Sequence, residues 1–149
     1  FEAQLELNHN WQKPLILHVV KAHSEALSVL SNSSLPNKRG LVHSFSSNAA
    51  LVSKYVELGF LISVGPGLIK KGFETLRKAV VSIPPNHLVI ESDAPGQSVP
   101  EPAHLIEIAQ AVGRLRGEDP GLVLDRSRKN IERVFDLYLT EGESHVGHV

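Results

Sequence analysis

The sequence predicts an α/β protein built on a parallel sheet. Three observations predict it. Four short apolar runs are separated by segments with helical periodicity, each run is closed by turn-forming residues, and the alternation is regular. Strands that alternate with helices in this way are joined by right-handed crossovers and lie parallel.

In chain order, residues 1–12 carry Phe1, Leu5 and Trp11 among polar residues without Gly or Pro, which predicts an amphipathic helix stopped before Pro14. Leu15 to Val20 is the first predicted strand. Ala22 to Leu30 follows as a helix with Ala26, Leu27 and Leu30 on one side, then a polar loop to Gly40. The second strand is Leu41 to Phe45. Ser46, Ser47 and Asn48 offer N-caps for a helix that buries Leu51, Tyr55 and Leu58 and stops at Gly59. The third strand, Phe60 to Val64, runs into the tight loop Gly65-Pro66-Gly67. A helix from Lys71 with Phe73, Leu76 and Val80 on one face ends at Pro84-Pro85.

The fourth strand lies in the stretch His87 to Pro95, HLVIESDAP, where a continuous apolar run meets two carboxylates and a proline stop. After an irregular stretch from Ala94 to Pro102, a helix carries Leu105, Ile108, Ala109, Val112 and Leu115. Asp119-Pro120 reads as the N-cap and first residue of a short helix. A separate last helix, Lys129 to Leu139, is expected to bury Ile131, Val134, Phe135 and Tyr138. The polar tail 140–149, with His145 and His148, is expected to be frayed and solvated, so the predicted domain is 1–139.

Length and composition narrow the classes. The chain has 149 residues, 42% hydrophobic and 21% charged, which suits one ordinary globular domain. A net charge of -1 supplies no global basic field for nucleic acid, so a polyanion would need a metal or a few placed cations. Without cysteine there is neither a disulfide nor a thiolate metal site. No apolar run is long enough for a membrane span and no signal peptide opens the chain, so a cytoplasmic protein is expected. The first residue is Phe1, which suggests a start inside a longer reading frame or after a cleavage.

The strand ends are where an α/β fold places its chemistry. Here they offer His18, His43 and Asp93, all of them metal-ligand residue types. Against this stand plainer readings: core or capping histidines, and a loop-capping aspartate. Glu91, two residues before Asp93, points to the same face of a strand and is expected to pair with a cation in a structural role. Lys21 and His23 lie near the same mouth, where Lys21 is either a phosphate contact or a solvated lysine. Gly65-Pro66-Gly67 could cradle a phosphate through its N–H groups, although a simple turn accounts for it. His9, His87 and His104 suit surface or turn positions.

Two parallel architectures compete. An open flavodoxin-like sheet suits this length, whereas a whole TIM barrel needs eight strands and about 250 residues. The segments PLILH, LVHSFSS, LGFLISVGPG, IPPNHLVIESDAP and RKNIERVF bear on that choice. In order and approximate spacing they resemble the second half of the TatD family of metal-dependent deoxyribonucleases, over residues 1 to about 139. The ESDAP segment and the ending Asn130-x-x-x-x-Phe135 are the most specific parts. The resemblance implies a partial TIM-like barrel, about four βα units with added C-terminal helices.

The resemblance further implies hydrolysis of DNA phosphodiesters by a water activated on divalent metal, with zinc, manganese or magnesium as candidates. His18 and His43 match the family's ligand histidines on its fifth and sixth strands, and Asp93 matches the aspartate of the eighth. Asp93 would also take the proton of the attacking water. Ser46 falls in a loop matching the family's His-Cys-Phe-Ser-Gly, with Ser47 in place of the glycine. It joins Lys21 and His23 as a candidate substrate contact.

This chain also departs from the family. The first-strand His-x-His pair and the bridging glutamate of the fourth strand precede anything present here. Val20-Lys21-Ala22 stands where Arg-Asp-Ala is usual, and Pro100-Glu101-Pro102 keeps two residues of Asn-Glu-Pro. A half barrel is expected to expose two open sheet edges and so to need the missing N-terminal half or a second copy of itself. Two alternatives remain open: an inactive scaffold half-barrel that dimerises, or an amidohydrolase acting on an amide or lactone.

Overall fold

The structure, a computed structural model, describes residues 1–94 and 104–137. Its elements in order are α1 (Glu2–Trp11), β1 (Leu15–His18), α2 (His23–Ser31), β2 (Gly40–His43), α3 (Ala49–Glu57), β3 (Leu61–Val64), α4 (Glu74–Ser82), β4 (Leu88–Ile90), α5 (His104–Arg116) and α6 (Pro120–Phe135). The four strands form one all-parallel sheet in the order β1-β2-β3-β4. Strictly sequential order decides between the two architectures. A doubly wound sheet reverses its strand order at a switch point, whereas a segment of a βα barrel never does.

The two faces of the sheet are covered differently. Leu17, Val42, Ile62, Val64, Leu88 and Ile90 form one buried cluster with residues of α2 to α5, among them Leu30, Val52, Tyr55, Leu76, Val80, Ile108 and Val112. The alternate residues Leu41, Leu61 and Val89 form a second, smaller cluster with Ile131, Val134 and Phe135 of α6. Successive strand residues point to opposite faces. The register pairs His18 with His43, so both histidines share the α6 side with Leu41.

Close pairing of β1 and β2 depends on Gly40. A Cβ there would lie 1.9 Å from the Leu15 carbonyl oxygen, and its φ of +111° disfavours other residues.

Several expectations need correction. β1 ends at His18 instead of Val20, because Lys21 takes a left-handed backbone (φ 55°) that breaks the strand; Val20 is left exposed. The two C-terminal helices are one. Asp119 caps α6 by accepting the Leu122 N–H at 3.1 Å, and Pro120 is its first residue. No breaker interrupts the turn that follows, which is laced by Lys129–Asp125 (2.7 Å) and Arg128–Glu132 (2.6 Å) pairs at i, i+4 spacing. That helix stops at Phe135, with Asp136 left-handed; Tyr138 and the tail lie outside the described residues. α4 begins at Glu74, so Phe73 is its N-cap. In α3, Val52 and Tyr55 are buried while Leu51 and Leu58 are only half-buried, and Asn48 is the cap, accepting the Leu51 N–H at 3.1 Å. In α1 only Leu5 among the three apolar residues is buried; Phe1 and Trp11 are exposed.

The expectation of two open edges also fails, for a physical reason. On the outer edge of β4, the Ile90 N–H donates to Ser127 Oγ (3.0 Å), and the Leu88 carbonyl accepts from Asn130 Nδ2 (2.8 Å). Side chains of α6 thus occupy hydrogen-bonding positions that a neighbouring strand would use. Among the described residues β1 pairs only with β2 and leaves Ile16 66% exposed. Among the described residues, the edge left open is that of β1.

Candidate metal centre

The strand ends deliver their side chains to one mouth. His18, Lys21, His23, Ser46 and Asp93 all line a single cleft of about 890 Å³. His43 is not among the residues that line it, but its ring centroid lies 5.4 Å from that of His18. A somewhat larger groove, about 980 Å³, runs along the open β1 edge against α1 and α2; of the predicted site residues it touches only His18.

His43 is gripped from both sides. Its Nδ1 lies 2.8 Å from Glu91 Oε2, and its Nε2 lies 3.3 Å from Asp93 Oδ1. Glu91 Oε1 also accepts the Ser44 N–H at 2.6 Å. Glu91 is therefore paired as expected, but its partner is the site histidine and the adjoining backbone. Sequence reasoning gave it a structural role; its position two residues before Asp93 on the same face was the signal that could have placed it here. His104, the first residue of α5, and Lys70 also line the cleft and were not expected there.

The exits from three strands share a backbone device. Lys21 (φ 55°), Ser44 (φ 48°) and Asp93 (φ 56°) are left-handed non-glycine residues that follow β1, β2 and β4. Such conformations cost of order 1 kcal/mol or more each and gather at functional sites. They turn the chain sharply at the mouth, which is how Asp93 comes back to within reach of His43.

Around this centre, His23 opens α2 and shares a 3.0 Å hydrogen bond between its Nδ1 and Tyr55 Oη. Burial pulls the His23 pKa below its ordinary value and pushes that of Tyr55 up to about 12. Both rings are neutral at pH 7. Ser63 Oγ, fully buried on β3, has no hydrogen-bond partner among the described residues. Lys21 and Ser46 are exposed at the rim.

The donor chemistry fits a divalent cation of the zinc or manganese kind, with imidazole and carboxylate together. Two ligand atoms bound about 2.1 Å from one tetrahedral ion lie roughly 3.4 Å apart, and His43 Nε2 and Asp93 Oδ1 are separated by 3.3 Å. A ligand histidine usually donates its other N–H to a carboxylate, as His43 is placed to do to Glu91. The set is nonetheless incomplete: among the described residues no group of three His, Asp or Glu side chains could hold a metal ion.

Comparison with known proteins identifies a family. The TatD related DNase family matches residues 1–136. The chain belongs to that family. It is 29% identical over 142 residues to a protein named as an uncharacterized metal-dependent hydrolase of Haemophilus influenzae, covering 91% of this chain and 54% of that one. It is also 29% identical over 154 residues to the 3'-5' ssDNA/RNA exonuclease TatD of Citrobacter rodentium, covering 93% and 57% respectively. Among solved structures, a TatD homologue from Escherichia coli K12 superposes with a TM-score of 0.82 at 25% identity, over 91% of this chain and 54% of that one. An amidohydrolase from Saccharomyces cerevisiae shares the fold, with a TM-score of 0.73 at 18% identity, over 90% and 58%. The chain spans about half the length of the curated relatives it matches, as a four-stranded portion of their barrel would.

Proposed function

We propose that this chain carries the C-terminal part of a TatD-type metal-dependent hydrolase site, acting on phosphodiester bonds of DNA. The observation that carries this reading is the pairing of His43 Nε2 with Asp93 Oδ1 at 3.3 Å, behind which Glu91 holds Nδ1. His18, His43 and Asp93 would hold the cation, completed by ligands from an N-terminal barrel half or from a second copy. When bound, a divalent ion lowers the pKa of water and offsets the charge of a phosphate.

The chain's own residues account for the rest of the site. Asp93, half-exposed at the mouth, is placed to accept the proton of an attacking water. Lys21 and Lys70 add positive charge to the walls of the cleft, and Ser46 and His23 offer hydrogen-bonding groups to a polyanion lying in it. The relatives named as nucleases support a nucleic-acid substrate, and their metal-dependent names support the cation.

One observation favours a second reading, a metal-free half-barrel that serves as a scaffold: the described residues hold no three-membered ligand group. Elemental analysis of purified protein separates the two. Stoichiometric zinc, manganese or iron that is lost in a His18→Ala, His43→Ala double variant supports the hydrolase site. Protein that takes up no divalent ion, and whose stability the double substitution leaves unchanged, favours the scaffold. A panel of single-stranded DNA, ester and amide reporters then tests the substrate class, and turnover of an amide but not of DNA would refute the phosphodiester assignment.

A further inference from the structure

Glu91 stands behind the proposed ligand His43 and takes no part in the proposed proton transfer. We infer that Glu91 is a positioning residue that holds the neutral His43 ring as its Nδ1–H tautomer, so that Nε2 faces Asp93 as a bare donor for a divalent cation. This inference rests on the metal-site reading above.

The argument starts from the inventory of donors and acceptors. An ionised carboxylate only accepts hydrogen bonds, so the proton in the 2.8 Å contact between Glu91 Oε2 and His43 Nδ1 belongs to the ring. A neutral imidazole carries one proton, which leaves Nε2 with a lone pair. That lone pair lies 3.3 Å from a second acceptor, Asp93 Oδ1. Two acceptors at this distance call for a positive charge between them, supplied by a second ring proton or by a cation.

Glu91 itself is not free to turn away. Its other oxygen accepts the Ser44 N–H at 2.6 Å, at the left-handed residue (φ 48°) where the chain leaves β2. Its backbone N–H donates to the Val64 carbonyl at 3.1 Å, which continues the β3–β4 ladder one residue past the end of β4. The backbone at its base and the carboxylate at its tip are thus both held. A simple ion pair needs neither the second bond nor a defined tautomer.

Glu91→Gln tests this, because an amide has only one acceptor oxygen. With that oxygen on the Ser44 N–H, the NH₂ group faces Nδ1, and the ring must carry its proton on Nε2 instead. Histidine side-chain ¹⁵N–¹H spectra of the metal-free chain read the tautomer of the neutral ring, with His43→Gln identifying the signals. Calorimetric titration with zinc alone reads the consequence for the cation.

The expected result is an Nδ1–H majority in the wild type, an Nε2–H majority in Glu91→Gln, and a zinc affinity about 10-fold or more weaker in the variant. An Nε2–H majority in the wild type overturns the inference by itself. So does a tautomer that Glu91→Gln leaves unaltered, or equal zinc affinity in a folded variant. Should the Gln variant not fold, Glu91→Ala, which removes the acceptor outright, is read by the same criteria. Failure of the underlying reading looks different: a wild type with the expected tautomer that binds no zinc overturns the metal site, and with it the role of Glu91 toward a cation.

Discussion

Replacing Asn130 by alanine should cost this fold about 2–3 kcal/mol, because Asn130 satisfies carbonyls at the outer edge of β4. It is 5% exposed, and its Nδ2 donates to the carbonyls of Pro85 (3.0 Å) and Leu88 (2.8 Å). Each such bond contributes about 1 kcal/mol net, and a carbonyl left buried without a donor costs roughly 1–3 kcal/mol more. β4 has only three residues, so it has few other bonds over which to spread the loss. Asn130→Asp is the sharper test. It keeps the shape but turns an acceptor toward two carbonyls, so it should destabilise more than alanine does. Urea unfolding followed by circular dichroism, with an unchanged m value, measures both. An alanine loss below about 1 kcal/mol, or an aspartate variant more stable than the alanine one, would refute the reasoning. It would mean that Asn130 acts by packing alone.

Two further substitutions address neighbouring groups. Ser63→Ala should stabilise the chain by about 1 kcal/mol, since it removes a fully buried hydroxyl that has no partner among the described residues; a loss measured by the same urea titration would show that the hydroxyl is satisfied, by water or otherwise. Tyr55→Phe should lower stability near neutral pH by about 1 kcal/mol through loss of the bond to His23, yet flatten the alkaline limb. With its pKa raised from 10.0 to about 12 in the fold, Tyr55 ionises first in the unfolded chain, so its contribution is complete below pH 10 and is lost as the pH rises toward 12. Thermal melts across that window that fall equally steeply in both proteins would contradict this.

Much of this was legible in the chain because strand chemistry is local. The short apolar runs, the caps at Asn48 and Asp119 and the histidines at the strand ends each depend on a few adjacent residues. What was not legible depends on tertiary placement. Nothing near Ser127 or Asn130 announces that they serve the edge of a strand some forty residues earlier, although Asn130 was conspicuous within its motif. The split of α6 into two helices came from reading Asp119-Pro120 and the Ile131 face as separate signals; ion pairs across the join carry the helix through. The partner of Glu91 was not legible, because a strand pattern tells which face a carboxylate is on, not whether a cation or a histidine waits there.

The site's asymmetry follows from the same geometry. His18 and His43 are in register on adjacent strands, so sheet pairing alone brings their rings to 5.4 Å and fixes them to one face. Asp93 has no such support: it lies beyond β4, half-exposed, and reaches His43 only through its left-handed turn. The proposed ligand set therefore combines two rings fixed by strand pairing with one carboxylate that the sheet does not fix. The two rings lie on paired strands, with Glu91 behind His43, while Asp93 lies three residues beyond the end of β4. If the proposed site holds a cation, the histidines would set where it sits, and the position of Asp93 would set how tightly this part of the barrel holds it alone.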